Sequence, residues 1–261
     1  MKHYPRMLTP NTPRFNPVEL AKVTESIVCR NDSRKYTAFY VAGVYRGIST
    51  GYAVGCCLRC FFCWSGWSRD FPELYGRFYT PRDVFKRLCE AAKEYRIRKA
   101  RISGCEPTLC RGHLLKLLEL VESSEFNIFI LETNGILFGA DKSYVRDISK
   151  FTKVYVRVSL KAGNPRAFSH RTGALPDFFE LPFKAIEYLI DYGVRFHVAA
   201  MTDPRIMPAG ERVELLNRLR DIDPKLAKYL EEELCDPYDA TIVRMSIFGI
   251  DPVKFYKYSL P

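Results

Sequence analysis

Hydrophobic and polar residues along the chain form short β-type runs separated by helical patterns. Apolar and β-branched runs predict six strands, over residues 36–45, 99–103, 127–131, 153–160, 194–201 and 241–248. Apolar residues at helical spacing predict helices over residues 18–28, 81–95, 112–123, 141–151 and 178–192, and helical patterns across 208–234. Strands that alternate with helices build a parallel sheet with the helices packed outside it. The pattern therefore predicts an α/β fold, a partial (β/α)6 TIM-like barrel with a parallel sheet.

The same pattern divides the chain into three parts. Residues 1–35 are rich in proline and are expected to form an N-terminal extension, residues 36–235 the barrel core, and residues 236–261 a C-terminal strand and tail. Ligands of such sheets bind at the carboxyl ends of the strands. We therefore expect the segments that follow the first three strands to meet on one face.

Composition and charge narrow the possible partners. The chain has 261 residues, of which 47% are hydrophobic and 27% charged. No apolar run is long enough to cross a bilayer and no signal peptide is visible, so we expect a cytoplasmic protein without membrane contact. The formal net charge of +10 favours anionic partners such as nucleic acid. It is spread without a dense basic block, so it is equally typical of a basic surface that aids solubility.

Four of the nine cysteines crowd into eight residues, which indicates a metal centre. Cys56, Cys60 and Cys63 form the spacing Cys-x3-Cys-x2-Cys. A disulfide framework would spread its cysteines over a short secreted chain, so this pattern favours metal binding in a reducing compartment. Zinc normally takes four ligands, and the second Cys-x2-Cys pair is absent. A zinc or electron-transfer site completed by Cys57 or by a distant cysteine remains the alternative.

The cysteine spacing resembles that of the radical S-adenosylmethionine (SAM) superfamily, in which an aromatic residue, here Phe62, precedes the last cysteine. The resemblance implies that Cys56, Cys60 and Cys63 hold a [4Fe-4S] cluster with one iron left for SAM. It also implies reductive cleavage of SAM to a 5′-deoxyadenosyl radical, which abstracts hydrogen from a substrate. A ferredoxin or flavodoxin would be the electron donor.

Motifs after the second and third predicted strands resemble SAM-binding segments of the same superfamily. Gly104-Cys105-Glu106-Pro107 resembles the Gly-Gly-Glu-Pro segment, so Gly104 and Glu106 are implied to receive the ammonium group of SAM. Residues 132–135 read Glu132-Thr133-Asn134-Gly135 and are similar to the Asp-Thr-Asn-Gly segment of glycyl-radical-enzyme activases, such as the pyruvate formate-lyase activating enzyme. In those relatives the acid and the threonine help to form a cation site beside SAM.

The fourth predicted strand resembles the activase strand that ends in Asp-Leu-Lys, whose Asp and Lys flank SAM. Lys161 is retained, whereas Ser159 replaces the Asp. Arg157 lies two residues earlier, on the same face of the strand. We hypothesise that its charge replaces that of the missing cation, so that Arg157→Met would weaken SAM binding.

Several other residues are expected to be structural. His170 has a counterpart in the activases but a lone histidine is more often structural, and His197 is expected to be a core histidine. Cys105, Cys110 and Cys235 are expected to fill buried apolar positions rather than a second metal site.

The sequence thus predicts a radical SAM enzyme whose motifs are most similar to those of the activases. The substrate is unknown and would be a partner protein, an RNA or a small metabolite. RNA modification is the alternative that suits the positive charge. The non-enzymatic alternative is an iron–sulfur or zinc binding module.

Overall fold

A single mixed sheet of nine strands organises the protein. The computed structural model describes residues 4–256, and the sheet order is β1-β2-β3-β5-β6-β7-β8-β9, with β4 paired to β2. The strands are β1 Cys29–Arg30, β2 Ser33–Ala42, β3 Ile48–Ala53, β4 Arg77–Tyr79, β5 Lys99–Ser103, β6 Ile128–Thr133, β7 Val154–Leu160, β8 Phe196–Met201 and β9 Glu231–Glu233. The six strands from β3 to β9 on this path pair in parallel, which confirms the predicted partial barrel.

Helices connect these strands and cover the outside of the sheet. They are α1 Pro17–Val28, α2 Pro81–Glu94, α3 Arg111–Glu122, α4 Ile136–Ala140, α5 Lys142–Ile148, α6 Pro165–Thr172, α7 Leu181–Asp191, α8 Ala209–Ile222, α9 Pro224–Lys228, α10 Asp239–Phe248 and α11 Val253–Tyr256. The start of α2 follows the expected physics, because Thr80 and Asp83 form a reciprocal capping box with Pro81 in the first turn. The short helices α4 and α6 were not predicted.

The first strand of the parallel sheet is not the one that the sequence predicts. The run at 36–45 forms β2, which pairs antiparallel with β3, and β3 lies in what the pattern assigns to a loop. Its Ser49 and Thr50 are buried, and the Ser49 hydroxyl donates to the Leu88 carbonyl oxygen over 2.8 Å. A strand that is buried on both faces and carries internally bonded polar side chains shows no alternation that a sequence pattern could detect.

The prediction of a last strand over residues 241–248 is also wrong. Residues 241–248 lie in α10, where Thr241, Arg244, Met245 and Phe248 are buried at helical spacing. The sixth parallel strand is instead β9, three consecutive glutamates inside the segment predicted to be helical. β-Branched residues at 241–243 favour a strand locally, but the tertiary contacts of Arg244 override that propensity.

The N-terminal segment is part of the core. Leu20 and Val28 of α1 are fully buried, and the predicted boundary between residues 35 and 36 falls inside β2. Cys110 is buried, as predicted, and a disulfide that the sequence did not predict joins it to Cys29. Residues 257–261 of the predicted tail and residues 1–3 of the predicted extension lie outside the described residues. Within residues 4–256, every helix is too short or too polar to span a bilayer.

One glycine sets how closely two helices approach, and this gives a stability test. A Cβ atom added to Gly139 in α4 would lie 1.9 Å from the carbonyl oxygen of Leu181 in α7. We expect Gly139→Ala to lower the free energy of unfolding by roughly 1–3 kcal/mol or more, because the backbones must separate. The matched control is Gly112→Ala in α3, whose added Cβ would meet nothing within 4 Å. It should cost nothing, since alanine favours a helix over glycine. Chemical denaturation followed by circular dichroism measures both, and equal losses would contradict this packing.

Candidate active site

All eleven residues that the sequence selects for the cluster and for SAM line one cavity at the carboxyl ends of the parallel strands. They are Cys56, Cys60, Cys63, Phe62, Gly104, Glu106, Glu132, Thr133, Asn134, Ser159 and Lys161. The space between the walls is about 790 Å³ when solvent at the open mouth is included. The roles of these eleven residues toward a ligand stay predictions.

The cysteine loop follows β3 directly and presents three free thiols to this cavity. Gly55 begins the loop with φ +86°, and an added Cβ there would lie 2.6 Å from the Thr24 side chain of α1. Helix α1 therefore fixes the point at which the chain turns from β3 into the loop. Cys57 is buried and is not among the cavity-lining residues, and the Asn134 side-chain amide donates to its sulfur over 3.3 Å.

Two cations, Lys161 and Arg69, lie near the Cys60 thiol and partly offset the effect of its burial. Burial raises the pKa of Cys60 to about 12, and the charges of Lys161 and Arg69 act in the opposite direction. A hydrogen bond with Cys57 lowers the pKa of Cys56 to about 7. Three thiols on one loop face a cavity that Lys161 and Arg69 also line, and they are the type of ligand that an iron–sulfur cluster requires. Within residues 4–256 no three His, Cys, Asp or Glu side chains converge on a single metal ion, whereas a four-iron cluster takes each thiolate on a different iron.

A buried charge cluster, Arg69–Asp70–Arg244, holds the carbonyl groups of the cysteine loop. Arg69 donates to the Cys60 carbonyl oxygen over 2.6 Å, and Arg244 of α10 donates to the Cys63 carbonyl oxygen over 2.6 Å. Both guanidinium groups also donate to the Asp70 carboxylate, and all three side chains are at most 1% exposed. Burial alone would raise the pKa of Asp70, but the two adjacent guanidinium charges outweigh it and hold the pKa below its ordinary value.

The loop after β5 has a conformation that requires glycine, and it is tied to the loop after β6. Gly104 has φ +94°, and an added Cβ would lie 2.5 Å from the Tyr52 ring. The Glu106 carboxylate accepts from the Thr108 amide and hydroxyl, from the Thr133 hydroxyl over 2.6 Å and from the Asn134 amide over 2.9 Å. Glu106 therefore joins the two loops, and its acceptor positions are used within the protein.

Cys105 stands where the Gly-Gly-Glu-Pro segment has its second glycine, and its side chain lines the cavity wall. Its thiol is buried and lies 3.8 Å from the Ser68 hydroxyl. Burial raises the pKa of this thiol to about 12. Cys235 is also buried, as predicted, and its sulfur lies 3.9 Å from the Phe62 carbonyl oxygen.

The carboxylate expected to help bind a cation is already paired. Glu132 accepts from Arg101 over 2.7 Å and from the hydroxyl groups of Ser103 and Tyr45 over 2.6 and 2.9 Å. The Thr133 hydroxyl is engaged by Glu106. The charge that faces Glu132 in this protein is therefore the guanidinium group of Arg101.

Arg157 lines the cavity, but its guanidinium group is paired with two carboxylates, so its replacement of a missing cation stays a prediction that this pairing does not favour. Arg157 donates to Glu231 over 2.8 and 3.0 Å and to Glu233 over 2.8 Å. His197 is not a core histidine, since its side chain is 24% exposed and its Nε2 atom lies 2.6 Å from Glu231. His170 is exposed and packs against the rings of Phe61 and Phe248, which agrees with a structural role.

Sequence reasoning missed Glu233, which lines the wall beside Ser159 and Lys161. The Ser159 hydroxyl donates to the Glu233 carboxylate over 3.1 Å, and Lys161 donates to Ser159 over 2.5 Å. The available signal was the alternation of Glu231 and Glu233 just before a buried cysteine, but three consecutive glutamates also suit an exposed helix. Sequence reasoning missed the Arg69–Asp70–Arg244 cluster because its hydrogen bonds go to backbone carbonyl groups and within the cluster, which no sequence motif marks.

Comparisons with known proteins agree with this geometry. The family model described as the radical SAM superfamily matches residues 52–221, more than half of the chain. A probable GTP 3′,8-cyclase of Methanococcus vannielii is 32% identical over 118 residues, which cover 45% of this chain and 37% of that protein. A GTP 3′,8-cyclase of Desulforamulus reducens is 33% identical over 155 residues, which cover 56% of this chain and 44% of that protein. The chain thus spans less than half the length of these curated relatives.

Solved structures share the fold. Streptococcus suis SuiB bound to S-adenosylmethionine superposes with a TM-score of 0.54 at 19% identity, over 71% of this chain and 40% of that one. A radical SAM methyltransferase from Sphaerobacter thermophilus superposes with a TM-score of 0.54 at 15% identity, over 78% of this chain and 64% of that one. With the family match across the barrel and the three thiols in its cavity, the chain belongs to the radical SAM superfamily, enzymes that use a [4Fe-4S] cluster and SAM.

Proposed function

We propose that this enzyme cleaves SAM reductively to a 5′-deoxyadenosyl radical that abstracts hydrogen from a substrate held at the same cavity. The observation that carries the proposal is the placement of the free thiols of Cys56, Cys60 and Cys63 around one cavity. A [4Fe-4S] cluster on three thiolates supplies an iron without a protein ligand for SAM and the electron that splits it. The electron donor that we propose is a ferredoxin or a flavodoxin.

The protein's own residues would perform three tasks in this function. The Arg69–Asp70–Arg244 cluster holds the loop carbonyl groups in place, so that the thiols keep a fixed spacing. Phe62 and Met201 add apolar side chains to the wall, which help to exclude water from a reactive intermediate. Lys161 and Arg69 place positive charge near the thiolates, where it favours their ionised form.

The substrate class is a separate proposal within the superfamily. The segment Glu132-Thr133-Asn134-Gly135 and Lys161 support an activase-like enzyme that acts on a partner protein. Ser159 and the pairing of Glu132 with Arg101 depart from the activase pattern, and the curated relatives are named GTP 3′,8-cyclases. Modification of an RNA remains the alternative that the net charge of +10 favours. Salt-sensitive binding of tRNA would support this alternative, and binding of GTP would support a cyclase-like substrate.

The cluster ligands can be tested one at a time. After anaerobic reconstitution with iron and sulfide, we expect about four irons per chain, and formation of 5′-deoxyadenosine on adding SAM and dithionite. Ala substitution of Cys56, Cys60 or Cys63 should remove most of the iron and abolish the product, because each thiol is a ligand. Cys57→Ser and Cys89→Ser are the controls and should keep both, since neither thiol lines the cavity. Loss of iron in Cys57→Ser, or a single bound zinc in the native chain, would instead support the binding-module alternative.

The Arg69–Asp70–Arg244 cluster, which holds the cysteine loop, gives a second test. We expect Asp70→Asn to lower the free energy of unfolding by about 3–5 kcal/mol, because two buried guanidinium groups lose their counter-charge. Reconstitution should then incorporate less iron, since the loop carbonyl groups are no longer held. Asp32→Asn is the matched control, as it breaks an ion pair with Lys116 in which both side chains are more than half exposed. That change should cost less than about 1 kcal/mol, and unchanged iron content in Asp70→Asn would show that the Arg69–Asp70–Arg244 cluster is dispensable for the iron–sulfur cluster.

A further inference from the structure

The carboxylate of Glu233 reaches the cavity across a neighbouring strand. In the parallel register Ser159 of β7 lies opposite Ala199 of β8, and Ala199 lies opposite Glu231 of β9, so their side chains share one face of the sheet. Glu233 is two residues beyond Glu231 and faces the same way. Because Ala199 carries only a methyl group, the β9 carboxylates pass over it and meet Ser159 and Arg157 of β7.

Among the hydrogen bonds of residues 4–256, Glu233 is the cavity carboxylate that accepts the fewest. An ionised carboxylate offers about four acceptor sites. Glu106 accepts four hydrogen bonds from protein groups and Glu132 accepts three. Glu233 accepts two, from Arg157 and from Ser159. Glu231 shares Arg157 with it but is not among the cavity-lining residues.

Unused donors lie beside these unused acceptors. The ammonium group of Lys161 has three donors, and the structure uses one of them on Ser159. Lys161 and Glu233 thus form a wall of opposite charges, joined through the Ser159 hydroxyl. A neutral group that both donates and accepts fits such a wall. A cationic group would face the ammonium charge of Lys161, which lines the same wall.

We propose that Glu233 binds the ribose hydroxyl groups of SAM, with Lys161 as the adjacent donor. This inference rests on the proposed function. A vicinal diol has two O–H donors for the carboxylate and oxygen acceptors for the ammonium group, and acidic side chains bind ribose hydroxyls in this way in other nucleotide sites. Strand β9 therefore supplies, through Glu233, the carboxylate that β7 lacks at Ser159.

The test is equilibrium binding of SAM to the anaerobically reconstituted full chain, without reductant. We expect Glu233→Gln to weaken SAM binding by about tenfold or more, because a hydrogen bond to a charged acceptor is lost. The matched control is Glu231→Gln, which removes the other carboxylate of the same arginine but lies outside the cavity wall, and it should change the affinity by less than about threefold. Iron content and thermal unfolding establish that each variant is folded and loaded.

Ligand analogues separate direct binding from an indirect structural effect. At least one of the two SAM analogues that lack the 2′- or the 3′-hydroxyl should bind the native protein about tenfold more weakly than SAM does. The Glu233→Gln variant should bind that analogue and SAM with equal affinity. The double variant Ser159→Asp/Glu233→Gln, which moves the carboxylate to the neighbouring strand end, should restore the preference for SAM.

Two results would overturn the assignment. One is equal affinity of the native protein for SAM and both deoxy analogues, which decides the matter even if Glu233→Gln does not fold. The other is unchanged SAM affinity in a folded Glu233→Gln protein. In both cases the native chain still binds SAM, so the proposed function stands, whereas a native, reconstituted chain that binds no SAM would refute both proposals.

Discussion

The site depends on the ion pairs that the buried carboxylate of Asp70 makes with Arg69 and Arg244. Taking three charges out of water is costly, and such a cluster persists only when geometry and hydrogen bonding are good. Here the two guanidinium groups also satisfy the carbonyl groups of the cysteine loop, at Cys60 and Cys63. The chain forms no helix or strand between residues 55 and 76, so the cluster satisfies loop carbonyl groups that regular secondary structure would otherwise satisfy.

A second set of polar contacts joins the strand ends to one another. Glu106 links the loop after β5 to the loop after β6, and Glu132 links β6 to Arg101 of β5. Further along the sheet, Arg157 of β7 pairs with both inward-facing glutamates of β9. The barrel interior near the cavity therefore contains paired charges rather than an apolar core. Because Glu132 and Arg157 have partners of opposite charge and the Glu106 carboxylate accepts four hydrogen bonds, the cavity wall can stay polar at a limited cost of burial.

This balance explains why a local comparison of motifs misassigns individual roles. Read alone, Arg157 is a positive charge beside Ser159, where the resembling activases have an acid. In the folded protein two carboxylates from a distant strand cancel that charge, and one of them, Glu233, lies beside the serine. Serine replaces the acid on β7, and Glu233 on β9 places an acid beside that serine. The sequences of the two separate segments do not show that they meet.

The sequence by itself determined the features that depend on neighbours along the chain. The spacing of Cys56, Cys60 and Cys63, the positive φ at Gly104 and the capped start of α2 are local, and the alternation of strands and helices predicted the α/β barrel. The tertiary structure decided which segments became the first and sixth parallel strands, the pairing of Cys29 with Cys110, and the partners of Arg157 and Arg244. The physical reason is that ion pairs and hydrogen bonds join residues about 70 to 180 positions apart in the chain. The periodicity of one segment does not indicate which distant residue will pair with its charged side chains.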